Sequence, residues 1–178
     1  MIMYVNRQKL WEVLEEYGVE GRLLQAVQAL YEDGKASVRL GERESEWFGV
    51  YKGLRQGCTL SPWLFNVFVD KVAREARREF VGAVKLSTGN VGVLLFADDM
   101  VLLAESEERL QSNLQALSVA MERWDLKVNW KKTKVMKVAR ERDSCEVEVG
   151  DQVIEQEEEM KYLGVLISSN GRWRRKWR

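Results

Sequence analysis

Two adjacent carboxylates interrupt an otherwise apolar stretch. Phe96-Ala97-Asp98-Asp99 stands between Val91-Gly92-Val93-Leu94-Leu95 and Met100-Val101-Leu102-Leu103-Ala104. Strands disfavour Asp, and an ionised group beside a core needs a partner. A hairpin with the carboxylates at its tip meets both constraints, and successive side chains on a strand point to opposite faces, so the two need not do the same job. Mg²⁺, a hard cation, prefers such oxygen ligands. The plainer reading of the pair alone is a turn, which Asp also favours. A two-ion site for phosphoryl transfer needs carboxylates from more than one element, so a third Asp on a neighbouring strand is the expected complement.

Composition narrows the chemistry. The 178 residues contain no histidine and two cysteines, Cys58 and Cys145. Ser-His-Asp and Cys-His catalysis, the common zinc sites and a disulfide framework are therefore excluded. Lys plus Arg and Asp plus Glu number 28 each, so net charge gives no hint of nucleic acid. The distribution is uneven. Lys131, Lys132, Lys134, Lys137, Arg140 and Arg142 form one basic cluster, and Arg172, Arg174, Arg175, Lys176 and Arg178 another; Glu155, Glu157, Glu158 and Glu159 form an acidic run. Such runs attract phosphate or simply face solvent. No signal peptide or long apolar run is evident, which predicts no membrane partner and an intracellular protein, nuclear or cytoplasmic.

Apolar spacing predicts helices over Lys9–Tyr17 and Arg22–Glu32, the second with Leu23, Val27, Leu30 and Tyr31 inward. A third runs from Pro62 to about Arg78, with Leu64, Phe65, Phe68, Val69, Val72 and Ala76 on its stripe. A fourth follows Ser106, with Leu110, Leu114, Leu117, Met121 and Trp124 inward. Predicted strands are Ala36–Leu40 with Trp47–Lys52, Val84–Leu86 with Val91–Phe96 across a Thr88-Gly89-Asn90 turn, then Lys134–Val138, Cys145–Val149 and Tyr162–Ile167. Hairpins and helices that do not alternate strictly predict an α+β fold, an antiparallel sheet with helices packed on one face. Trp47, Trp63 and Trp124 are expected in the core, and Asp70 on a solvated flank.

A second polar segment stands out. Gly53-Leu54-Arg55-Gln56-Gly57-Cys58-Thr59-Leu60-Ser61-Pro62 is a glycine-bracketed turn opening an apolar helix. Glycine lets backbone approach a ligand, Gln56 donates and accepts, and Arg55 can reach phosphate. A solvated helix entry is the equal alternative for these residues alone.

In order and spacing, these segments resemble the reverse transcriptase domain of non-LTR (LINE-like) retrotransposons. Arg55-Gln56-Gly57-Cys58, Leu60-Ser61-Pro62 and Leu64-Phe65-Asn66 resemble the family's template and nucleotide contact motif, with Thr59 where Pro is more usual. Phe96-Ala97-Asp98-Asp99 resembles its catalytic metal motif. Leu126 to Lys134 resembles the segment after the palm helix, in which Lys132 matches a lysine near the triphosphate. Tyr162-Leu163-Gly164 resembles the hairpin that grips the primer end. The resemblance implies the palm, with partial fingers, of a right-hand polymerase. Residues 1–82 would be fingers and palm, 83–140 palm with the catalytic hairpin, and 141–178 the end of the palm, the primer grip and the start of the thumb, where Trp173 and Trp177 would begin a helix or, as the alternative, stack on bases. The implied reaction is two-metal transfer of a deoxynucleotide from its triphosphate to a DNA primer on an RNA template, with Mg²⁺ as cofactor.

One motif departs. The family's first catalytic motif reads roughly Asp-x-x-Lys-Ala-(Phe/Tyr)-Asp-x-Val-x-Arg. Aligned on Val5 and Arg7, it places Met3 at its second Asp and Ile2 at its aromatic residue, and its leading Asp before Met1. The expectation is a truncated copy, inactive alone, with an exposed sheet edge where the missing strand would pair. The alternatives are a non-catalytic nucleic-acid-binding remnant using Arg55, Lys131, Lys132 and Lys134, or a genomic relic without function.

Overall fold

The computed structural model describes residues 4–87, 89–139 and 144–175, with no side-chain description for Arg174 and Arg175. Met1, Ile2, Met3, Thr88, Arg140, Arg142, Lys176, Trp177 and Arg178, all invoked above, lie outside the described residues.

Asn6 starts α1, Arg7–Glu16: its side-chain oxygen accepts from the N–H groups of Gln8 and Lys9. Leu10, Val13 and Leu14 face inward. Helix α2, Gly21–Ala29, buries Leu24 and Val27. Leu23, expected inward, is 61% exposed, and Leu30 is exposed too. Tyr31 is buried as expected.

Four two-residue strands then form a ribbon. β1 (Lys35–Ala36) pairs with β4 (Phe48–Gly49), and β2 (Arg39–Leu40) with β3 (Arg43–Glu44). The hairpin is where the sequence predicted it, but its apolar side chains are not core. Trp47 is 67% exposed, and Val38 and Leu40 are exposed as well. Trp63 is also 71% exposed, so of the three tryptophans expected in the core only Trp124 lies there.

Helix α3, Ser61–Arg78, is the centre of the molecule, with Pro62 in its first turn. Its whole expected stripe is buried, and Phe65, Phe68 and Val72 are among the most completely enclosed side chains. Beyond it, β5 (Val84–Leu86) pairs with β6 (Gly89–Val91). Gly89 and Asn90, expected in a turn, are strand residues here. Of the segment expected to pair with β5, Val91 does so, opposite Val84, whereas Val93–Phe96 forms β7, antiparallel to β8 (Asp99–Leu102).

Ser106 caps α4, Glu107–Arg123, accepting from the Arg109 N–H. Leu114, Leu117, Met121 and Trp124 pack inward, and Trp124 meets Phe68 edge-on at 5.7 Å. The Trp124 indole donates to Glu75 at 2.7 Å. A single 3-10 turn, Trp130–Lys132, leads to β9 (Lys134–Val135). β10 (Val147–Val149) pairs antiparallel with β11 (Gln152–Gln156), which pairs in parallel with β9. β12 (Glu159–Tyr162), β13 (Val165–Ser168) and β14 (Trp173–Arg175) form an antiparallel meander. Trp173 therefore sits in a strand, not at the start of a helix.

The fold is mixed α and β, as expected. Its strands make six small sheets among the described residues rather than one, and the β9–β11 pairing departs from the all-antiparallel expectation. The helices enclose the main core. A second cluster, Leu114, Val135, Cys145, Val147 and Ile154, joins α4 to the β9–β11 sheet. No described helix is long and apolar enough to cross a membrane.

Candidate active site

The β7–β8 hairpin carries the two carboxylates. Phe96 pairs with Asp99, leaving Ala97 and Asp98 as a two-residue loop. Such loops suit twisted strands only when the first residue adopts positive φ, and Ala97 does, at 52°. An alanine there costs on the order of 1 kcal/mol. Gly92 sets the root of the hairpin. A Cβ on it would lie 3.3 Å from the Phe80 ring, while its carbonyl accepts from the Leu103 N–H at 2.9 Å and extends the ladder.

Asp98 and Asp99 are exposed, and neither carboxylate makes a hydrogen bond or ion pair with any described residue. Their oxygens are free hard donors, of the chemistry that Mg²⁺ prefers. Among the described residues, no third Asp, Glu or Cys joins them to form a group able to hold a metal ion. Beside them, β7 pairs only with β8 among the described strands, and Phe96 is 59% exposed.

The loop before α3 holds the second set. Gly53 and Gly57 have φ of 77° and 78°, backbone that glycine adopts freely. Leu54 is buried, while Arg55, Gln56 and Gly57 face solvent. Arg55 has no ion-pair partner among the described residues, and its guanidinium carbon lies 5.8 Å from the centroid of the Tyr31 ring. The N–H of Leu60, then the hydroxyl and N–H of Ser61, hold the Cys58 thiol below its usual pKa.

Lys132 ends the 3-10 turn, exposed, with Lys131 beside it. Lys134 is different: it forms ion pairs with Glu155 and, at 3.4 Å, Glu157, and those carboxylates raise its pKa. Tyr162, Leu163 and Gly164 lie at the β12–β13 hairpin, where Tyr162 pairs with Val165. Leu163 and Gly164 have φ of 48° and 81°, the two positive values a tight hairpin turn uses. Asp98 and Asp99 share one tip, and Arg55, Gln56 and Gly57 share one loop. Among the described residues, no hydrogen bond or ion pair links either group to Lys132 or to the 162–164 turn.

One residue of this region was not singled out as functional from sequence. Arg7 donates from Nε to the Gly53 carbonyl at 2.9 Å and from Nη1 to the carbonyls of Tyr31 and Val50 at 3.0 and 2.9 Å. Burial first, and the Arg55 charge as well, lower its pKa. The available signal was its place: a cation in the first turn of a helix opposes the helix dipole and so needs other partners.

Residues 3–167 match the family model described as "Reverse transcriptase (RNA-dependent DNA polymerase)". The chain is 33% identical over 156 residues to the Retrovirus-related Pol polyprotein from type-1 retrotransposable element R2 of Nasonia vitripennis, covering 80% of this chain and 15% of that protein. It is 31% identical over 180 residues to the corresponding polyprotein from element R2DM of Drosophila melanogaster, covering 96% and 17%. It is 26% identical over 161 residues to the RNA-directed DNA polymerase from mobile element jockey of Drosophila funebris, covering 86% and 17%. The chain thus spans less than a fifth of the length of these relatives.

Proposed function

The chain belongs to the reverse transcriptase (RNA-dependent DNA polymerase) family, and from that premise we propose that it forms the palm and part of the fingers of an RNA-directed DNA polymerase of a non-LTR retrotransposon. In this reading the primer 3′-hydroxyl attacks the α-phosphorus of a deoxynucleoside triphosphate, a phosphodiester bond forms and pyrophosphate leaves. Catalysis of this kind is mostly positioning and charge stabilisation.

The chain's own residues divide that work. Asp98 and Asp99 would hold Mg²⁺, which when bound supplies positive charge at the reacting phosphate. Arg55, Gln56 and Gly57 contact template and nucleotide, Lys132 faces the triphosphate, and Tyr162, Leu163 and Gly164 hold the primer end. The observation that carries this reading is the pair of free carboxylates presented on a strained turn. Two carboxylates without a third are a weak metal site, so the 178-residue chain by itself is expected not to extend a primer.

A second reading, a non-catalytic nucleic-acid-binding segment, is favoured by Arg55, Lys131 and Lys132, which are exposed and unpaired among the described residues. Lys134 does not belong with them, because Glu155 and Glu157 occupy it.

One assay tests what both readings expect of the chain. Purified chain is given a primed RNA template, deoxynucleoside triphosphates and Mg²⁺, and binding and extension are both followed. Duplex binding without extension is the expected outcome. Extension that disappears in Asp98→Ala would overturn the expected inactivity, and absence of binding at low salt would overturn both readings.

A further inference from the structure

Arg7 reaches from the first turn of α1 into the main chain just before Arg55. Its guanidinium donates to the carbonyls of Val50 and Gly53, each at 2.9 Å, and of Tyr31 at 3.0 Å. Its carbon lies 5.1 Å from the Tyr31 ring centroid, and that of Arg55 lies 5.8 Å from the same centroid. The Tyr31 hydroxyl in turn shares a hydrogen bond of 2.9 Å with the Ser61 hydroxyl, inside the protein. Gly53 and Ser61 bound the segment that carries Arg55, Gln56 and Gly57, so both of its ends are tied to one guanidinium–tyrosine unit.

Arg7 has no carboxylate partner among the described residues. Its donors are committed to main-chain oxygens, and this suits a planar fork with several fixed N–H directions. A lysine has one point of charge and cannot span Tyr31, Val50 and Gly53 together.

We propose that Arg7 is a positioning residue: it fixes the backbone from Val50 to Gly53 so that Arg55 and Gln56 are presented to the nucleic acid. This rests on the reading above, in which that loop contacts template and nucleotide.

The test is a double-variant cycle on the 178-residue chain, with Arg7→Ala, Arg55→Ala and both together. Affinity is measured for an RNA–DNA duplex with a single-stranded RNA overhang at fixed low salt, and amide hydrogen exchange is followed over residues 50–57. Each single variant is expected to bind about tenfold more weakly, the scale of one lost charge-assisted contact. The double variant is expected to bind no more weakly than either, because Arg7 acts through Arg55. Arg7→Ala should also speed exchange at 50–57 while the α3 amides keep their protection.

Arg7→Lys should behave like Arg7→Ala, and it carries the same cycle if the alanine variant does not fold. Losses that multiply in the double variant, exchange at 50–57 that does not change, or full rescue by lysine would each overturn the positioning role. A wild-type chain that binds no duplex overturns the function proposed above, and with it any presentation of Arg55. In that case the exchange data alone still report whether Arg7 orders the loop.

Discussion

Gln111 pairs with both main-chain groups of Glu148: its Nε2 donates to the carbonyl and its Oε1 accepts from the N–H, each at 2.8 Å. One turn earlier on α4, the Glu107 carboxylate accepts from the Glu146 N–H at 3.0 Å. Four helical residues rise about 6 Å and two strand residues about 6.8 Å, so side chains four apart on a helix can meet alternate residues of a strand. Helix α4 thereby covers the edge of β10 that faces away from β11, much as another strand would. Gln111→Ala should lower stability by about 1 kcal/mol. Gln111→Glu should lower it as much, because a carboxylate accepts from the N–H but repels the carbonyl. Urea unfolding should show a lower midpoint and an unchanged slope.

The strained turn gives a second outcome. Ala97 is exposed, so replacing it changes backbone preference with little change in packing. Ala97→Val places a β-branched residue at positive φ and should cost about 1–2 kcal/mol, whereas Ala97→Gly should cost nothing or stabilise slightly. Urea midpoints of the three proteins check the order. A valine variant as stable as the parent would contradict the turn geometry.

Tyr17 makes stability sensitive to alkaline pH. Burial first, then its hydrogen bond to Asp70, raise its pKa from 10.0 to about 12. The hydroxyl lies 2.7 Å from the Asp70 carboxylate, which also pairs with Arg74 at 2.7 Å. Asp70 is thus half-buried and doubly bonded rather than simply solvated. The folded state holds the phenol proton more tightly than the unfolded state does. Its stabilisation is therefore complete below pH 10 and is lost as pH rises toward 12. Tyr17→Phe should flatten the decline in urea midpoint over that interval relative to the parent.

Salt dependence should separate the lysines. If Arg55 and Lys132 each meet a phosphate, removing either should reduce the slope of log affinity against log salt by roughly 0.7–0.9. Lys134→Ala should leave that slope unchanged, since Glu155 and Glu157 already hold its charge. Binding of RNA–DNA duplex at several salt concentrations tests all three variants.

Much of the helical frame was legible because buried side chains recur at helical spacing. The expected stripe of α3 is the buried face, and α4 starts at the expected serine cap. Side chains in the ribbon were harder to place, because Trp47 and Phe48 have core-like chemistry yet are exposed. Strand β11 was missed because Gln152, Glu155 and Gln156 leave its one inward position, Ile154, looking like part of a polar run. The motif residues were readable one by one. What Arg7 holds was not, because its partners are main-chain carbonyls that any residue could supply.

The parallel pairing of β9 with β11 has a consequence for the order in which the chain folds. Glu155 stands opposite Lys134, so this register closes only when residues 21 apart in sequence meet. The turns of α3 and α4 form from neighbours, and closing a longer loop costs entropy before any contact repays it. The turns of α3 and α4 are therefore expected earlier than the pairing of the strands at 147–156. Their opening is the lower-energy fluctuation, and their amides should exchange before those of the helices do.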